Sequence, residues 1–164
     1  YCKTNNIPLI VGRLTDAVPK GRSSEDFWRE KRYEFFNSKR DGRVVVMGHH
    51  LDDAVETWIF SSLKGSPKIM PYRRGYVIRP FILNEKDRIL SWASERSIKF
   101  VTDKTNQDIS FDRNYIRRKM MPHVKRINPG IQKTIKKKIL KEIENNFCPC
   151  CGCDPCDCHG KGER

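Results

Sequence analysis

Val44-Val45-Val46-Met47-Gly48-His49-His50-Leu51-Asp52-Asp53-Ala54-Val55-Glu56-Thr57 is the stretch on which the reading of this chain turns. Its first five residues form a continuous, β-branched run, the mark of a strand buried on both faces of a parallel sheet. Gly48 lets the backbone turn closely, and a helix is expected from about Leu51 to Leu63. In an open α/β sheet, ligands gather beyond the carboxyl ends of the strands, which is where His49, His50, Asp52 and Asp53 stand. The two aspartates offer hard oxygen ligands suited to Mg²⁺, an ion that bridges nucleotide phosphates. The two histidines can donate to phosphate or move a proton near neutral pH. Glu56, three residues beyond Asp53, shares one side of the helix start. The plain alternative is an acidic helix terminus favoured by the macrodipole. Two His, two Asp and one Glu within eight residues exceed what a cap requires.

Upstream, Ile7 to Leu14 is a short apolar run read as a strand, and Thr15 to Ser24 is a Pro- and Gly-containing loop. Ser24 is placed as the cap of a helix reaching about Arg40, with Trp28, Tyr33 and Phe36 on one buried face and Arg29 and Arg32 projecting together. Downstream, Lys64 to Arg74 is a basic loop and Tyr76 to Phe81 a short extended piece. Asn84 is expected to cap a helix whose apolar side carries Ile89, Leu90, Trp92 and Ala93. Lys99 to Val101 reads as a brief strand and Thr102 to Asp112 as a polar loop, with Asn106 and Asn114 doing turn chemistry. Asn114 to Val124 is helical and broken near Pro122, and a last helix runs from beside Pro129 to about Asn146. Strands alternating with helices predict an α/β fold with a parallel sheet. Three regions are expected: 1–83, a partial α/β domain; 84–146, the rest of the catalytic region with basic helices; and 147–164, a low-complexity appendage.

The 164 residues are sufficient for one compact domain. No apolar run approaches the ~20 residues of a membrane span, and no signal peptide is recognisable. The 33 basic and 20 acidic residues leave a charge of +13, concentrated between Arg113 and Lys141. Such a surplus favours a polyanionic partner, because neutralised phosphates release counterions. No segment pairs a large apolar face with that basic one, so nucleic acid is the expected partner and a membrane is not. Six of the seven cysteines fall between Cys148 and Cys158. That density reads as metal binding in a reducing compartment rather than a disulfide framework. Cys148, Cys151, Cys153 and Cys156 are the candidate ligands, with Zn²⁺ the metal that suits thiolates on such turns. A single residue, Gly152, separates the two cysteine turns, which is short for one tetrahedral site.

The run Gly48 to Thr57 resembles the second signature of PP-loop ATP pyrophosphatases, above all tRNA(Ile)-lysidine synthetases. Other segments match that family in the same order. Glu25 with Arg29-Glu30-Lys31-Arg32-Tyr33 is similar to its Glu-then-Arg-x-x-Arg-Tyr helix. Ile78-Arg79-Pro80-Phe81 is similar to its Ile-Arg-Pro-Leu segment. Asp103 to Asp108, Asp112-Arg113-Asn114-Tyr115-Ile116-Arg117, Met121-Pro122 and Asn128 to Ile131 resemble its D-x-(S/T)-N-x-D…RN-x-(I/L)-R…P block.

This resemblance, over residues 1 to about 140, implies a Rossmann-like fold and an ATP-dependent, cytoplasmic ligase. Such an enzyme adenylates the wobble cytidine of an isoleucine tRNA with a CAU anticodon. The amine of free L-lysine then displaces AMP. On the matching positions Asp53, His49, Glu56 and Arg79 are the expected catalytic residues. His50, Asp52 and Arg32 would handle ATP and Mg²⁺, and Arg113, Arg117 and Lys119 the tRNA backbone. A homodimer is also expected. The family's Ser-Gly-Gly-x-Asp-Ser phosphate turn is not in the chain and is expected upstream of Tyr1. Without that nest of N–H donors ATP activation should be crippled. Two other readings compete: a tRNA-thiolating enzyme of the same superfamily, and a non-catalytic, basic RNA-binding remnant.

Overall fold

The structure is a computed structural model that describes residues 1–101 and 103–146. The elements run α1 (Ser24–Lys39), β1 (Val45–Val46), α2 (Leu51–Leu63), β2 (Arg73–Arg74), β3 (Val77–Ile78), α3 (Lys86–Glu95), a 3₁₀ turn (Lys104–Gln107), α4 (Asp112–Tyr115), a π-helical turn (Ile116–Met120), α5 (Met121–Ile127) and α6 (Ile131–Asn146). The chain divides into two compact units, Tyr1–Val45 and Val46–Arg164.

In the first unit the residues from Ile7 to Leu14 form no strand, and Leu9, Ile10 and Val11 are exposed. A strand needs a partner for its N–H and C=O groups, and no described strand supplies one. The segment instead approaches α1 closely at Gly12, where an added Cβ would lie 2.5 Å from the Phe35 ring. The α1 cap is Ser23, one residue earlier than expected, and its hydroxyl accepts from the Asp26 N–H. The buried aromatic of α1 is Phe27, edge-on to Trp28 at 5.1 Å; Trp28, Tyr33 and Phe36 are only half-buried.

The second unit is organised by α2. Leu51, Ala54, Val55 and Ile59 recur at i, i+3, i+4 and i+8 and are buried. They pack with Ile131, Ile135 and Ile139 of α6, which recur every four residues, and with Ile82 and Ile116. The helix bounds expected for α2 and α6 hold. The helical run broken near Pro122 also holds: α4, the π turn and α5 follow one another, with Pro122 in the first turn of α5. There its missing N–H is no loss.

The sheet is smaller than the sequence predicts. Its order is β1-β3-β2. β2 and β3 form an antiparallel hairpin with Arg74 opposite Val77; β3 lies in the piece expected to be extended, while β2 falls at the end of the expected Lys64–Arg74 loop. Gly75, at φ 56°, supplies the left-handed backbone that a two-residue hairpin loop needs. The strand expected over Val44–Gly48 is paired only at Val45–Val46, and Val44 and Val46 are exposed rather than buried on both faces. Lys99–Val101 is not a strand; Phe100 and Val101 are exposed. The α3 cap is Glu85, not Asn84, and α3 buries none of its residues completely, with Trp92 half exposed. Asn84 is used by its backbone: its carbonyl accepts from the Leu51 N–H at 2.9 Å, tying the α3 approach to the first residue of α2.

Candidate functional site

The turn from β1 into α2 places the acidic run at a helix N-terminus. His50 is the residue before the helix, and its backbone N–H donates to Asp53 Oδ2 at 3.0 Å. This closes one half of a capping box. It aims the second oxygen of Asp53 along the α2 face that also carries Glu56. The His50 ring follows the same carboxylates, with Nδ1 3.4 Å from Asp53 Oδ2 and 3.8 Å from Asp52 Oδ2. His49 is half-buried in the same turn.

Glu56 is 3% exposed, and a buried carboxylate requires a counter-charge. Arg117 provides it in the fork-to-fork geometry that a guanidinium allows. Nε lies 2.6 Å from Oε1 and Nη2 lies 2.7 Å from Oε2 of Glu56. The same Nη2 is 3.4 Å from Asp53 Oδ1, so one guanidinium links both carboxylates. The Glu56 hydrogen bond raises the Arg117 pKa above its ordinary value against the lowering effect of burial. Arg117 reaches this place because it sits in the π-helical turn, which packs against α2. Such turns re-aim side chains within a helix and recur at functional sites.

Asp52 points elsewhere. Its Oδ2 accepts from the Lys86 backbone N–H at 2.8 Å, and its Oδ1 accepts from Gln132 Nε2 at 2.9 Å. One carboxylate therefore joins the N-termini of α3 and α6 to that of α2. Neither partner carried a signal in the sequence: they lie 34 and 80 residues away, and both are ordinary helix-start residues.

The remaining candidates separate. Arg113 half-buries its guanidinium over Phe60, 5.6 Å from the ring centre, with Nη1 3.4 Å from Thr57 Oγ1. Arg79 is 3% exposed and donates to the Pro71 carbonyl at 3.0 Å, holding the loop that leads into the hairpin. Lys119 is exposed on the π turn. Arg32 belongs to the first unit, where Nε lies 3.4 Å from the Trp28 carbonyl. Asn114 does the turn chemistry expected of it, donating to the Thr105 and Asp108 carbonyls at 3.0 and 2.7 Å. Asp103 and Asp108 are pulled below their ordinary pKa first by the backbone N–H groups of Thr105 and Ser110, then by those residues' hydroxyls.

Among the described residues no three His, Cys, Asp or Glu side chains converge on a point that would hold a metal ion. The carboxylates of the acidic run instead take a guanidinium, an amide and two backbone N–H groups as partners. A Mg²⁺ ion bound mainly through nucleotide phosphates and water needs only one or two of them. Cys148, Cys151, Cys153 and Cys156 lie outside the described residues.

A turn after a strand, an acidic helix start and two arginines returning from downstream make up a candidate site at the position where ligands gather in α/β proteins. The profile of the PP-loop domain family matches residues 1–124, and the chain belongs to that family, with its Rossmann-like fold class. Within it, the chain is similar to tRNA(Ile)-lysidine synthases. It is 35% identical to that of Francisella philomiragia, an alignment covering 88% of this chain and 39% of the relative. It is 36% identical to that of Thermosipho africanus, covering 88% and 33%. The identity is 30% to that of Lactiplantibacillus plantarum, covering 82% and 33%. The chain thus spans between a third and two fifths of the length of these relatives.

Proposed function

We propose that this chain is the ATP- and tRNA-handling part of a tRNA(Ile)-lysidine synthase. ATP adenylates the wobble cytidine of an isoleucine tRNA, with release of pyrophosphate. The side-chain amine of L-lysine then attacks the activated carbon, and AMP leaves. The observation that carries this reading is the charge balance around α2. Two carboxylates, Asp53 and Glu56, share the one guanidinium of Arg117, and Asp52 adds a third negative charge at the same helix start. The surplus negative charge suits an ammonium ligand, and the carboxylates are held rigidly by the helix cap and the arginine. Fixed geometry of this kind is what orienting an amine for attack requires. Similarity to lysidine synthases supports the same substrate.

In this reading Asp53 holds and orients the lysine amine, and Glu56, closed by Arg117, fixes Asp53 through that shared guanidinium. His49 and His50 stand at the phosphate end of the turn, where Mg²⁺ carried by ATP would neutralise charge on the leaving pyrophosphate. Arg113, Arg117 and Lys119 line the approach of the tRNA. Asp52 holds the three helix starts together and contributes to ATP handling only through that.

The test is incorporation of labelled L-lysine into an isoleucine tRNA transcript with a CAU anticodon. It uses the protein expressed from its natural gene, with ATP and Mg²⁺, followed by nucleoside digestion. Lysidine in the digest, lost on Asp53→Asn, is the expected result. Absence of lysidine where a known synthase works, or a thiolated base in its place, would sink the proposal.

A further inference from the structure

Of the described helices α6 carries the most lysines, five, against two glutamates. Its buried face is the Ile131, Ile135, Ile139 stripe on α2. Its opposite side presents Lys133, Lys136, Lys137 and Lys141, all exposed, with Lys138 exposed on the flank. Lys133, Lys137 and Lys141 follow at four-residue intervals, about 6 Å of helix axis each. The acidic residues of α6, Glu142 and Glu144, come only after the last of these lysines.

This arrangement works against the helix. Lysines four apart repel one another. The macrodipole prefers acids at the start and bases at the end, and α6 has the reverse order. Helix stability therefore gives no reason for the strip, whereas a regular polyanion does. The apolar side of α6 is already buried in the core, so the helix has no greasy face to lay into a bilayer.

We propose that the solvent face of α6 is an RNA-docking strip, with Lys133, Lys137 and Lys141 set against successive backbone phosphates. It is separate from the carboxylate site on α2, and it does not rest on lysine ligation. Contacts of this kind position a nucleic acid without reading its sequence.

The experiment measures binding of a fluorescent tRNA transcript to the whole chain across a salt series. The variants are K133Q/K137Q/K141Q and the charge-keeping K133R/K137R/K141R. Each lost phosphate contact should lower the steepness of log affinity against log salt by about 0.7 to 0.9. The glutamine variant is therefore expected to lose about two to three units of slope while its circular dichroism stays that of the parent. The arginine variant should keep the slope. An unchanged slope in a folded glutamine variant overturns the proposal. So does strip-dependent binding to phosphatidylglycerol vesicles with none to RNA. Should the glutamine variant unfold, single Lys→Gln changes at 133, 137 and 141 replace it, each expected to remove just under one unit. A chain that binds RNA through the strip yet makes no lysidine refutes the ligation reading and leaves this one standing.

Discussion

Arg117 closes on Glu56 through two hydrogen bonds of 2.6 and 2.7 Å, although 61 positions of sequence separate them. The contact satisfies a carboxylate buried on α2 and ties the π-helical turn to that helix. It also decides which carboxylates of the acidic run remain open to a ligand.

Arg117→Ala leaves Glu56 buried and uncompensated. Because the Arg117 side chain keeps 32% exposure, the expected loss is about 3 kcal/mol, the low end for breaking a buried pair. Arg117→Lys keeps the charge but not the fork and should recover only part of it. Urea unfolding midpoints measure both, and an Ala variant with the parent midpoint would contradict the account. The Arg117 pKa is raised on folding by its bond to the Glu56 carboxylate, so on the alkaline side its contribution is present from neutral pH upward and is lost only above the arginine range. No alkaline weakening of this contact is expected below that range.

Asp52→Ala removes the acceptor for the Lys86 N–H and for Gln132. An expected cost of about 1–2 kcal/mol follows from a lost helix cap. Hydrogen exchange should quicken at the starts of α3 and α6 together. A variant with parent stability but lost nucleotide binding would instead place Asp52 on ATP directly.

Ile135→Ala cuts the centre of the α2–α6 contact, where Ile135 is fully buried. The expected loss is about 2–5 kcal/mol, as for other buried aliphatic truncations. Thermal or urea unfolding gives the value, and a change under 1 kcal/mol would mean that α6 is not part of the core.

The loop around Asp103 and Asp108 should loosen in acid. Both carboxyls have pKa values lowered in the folded chain, so the stabilisation they give is present above the ordinary aspartate value of 3.8 and is lost as pH falls through the lower folded values. Amide exchange at Thr105 and Ser110 reports it. Protection that is flat down through that window would refute the link.

Much of this arrangement was legible in advance. The helix over Leu51–Leu63 and the one ending at Asn146 announced themselves by apolar spacing, and Pro122 marked the break before α5. The strands did not follow. Ile7–Leu14 and Lys99–Val101 have strand composition, but a strand exists only where another backbone meets it, and composition says nothing about the partner. Val77–Ile78 lies in the piece read as extended, but its hairpin partner was missed for the converse reason: Arg73–Arg74 has loop composition and becomes a strand only because Val77–Ile78 meets it across the Gly75 turn.

At the site, the sequence by itself determined which residues carry the charge and that Asp53 and Glu56 share one side of α2. Helix geometry alone ensures that, because residues three apart on a helix are neighbours. Only the tertiary structure decided their partners. It gave Glu56 to Arg117, Asp52 to Lys86 and Gln132, and Arg79 to the Pro71 carbonyl. Burial is the reason. A carboxylate withdrawn from water takes the nearest donor that packing delivers, and packing joins segments that sequence spacing does not relate.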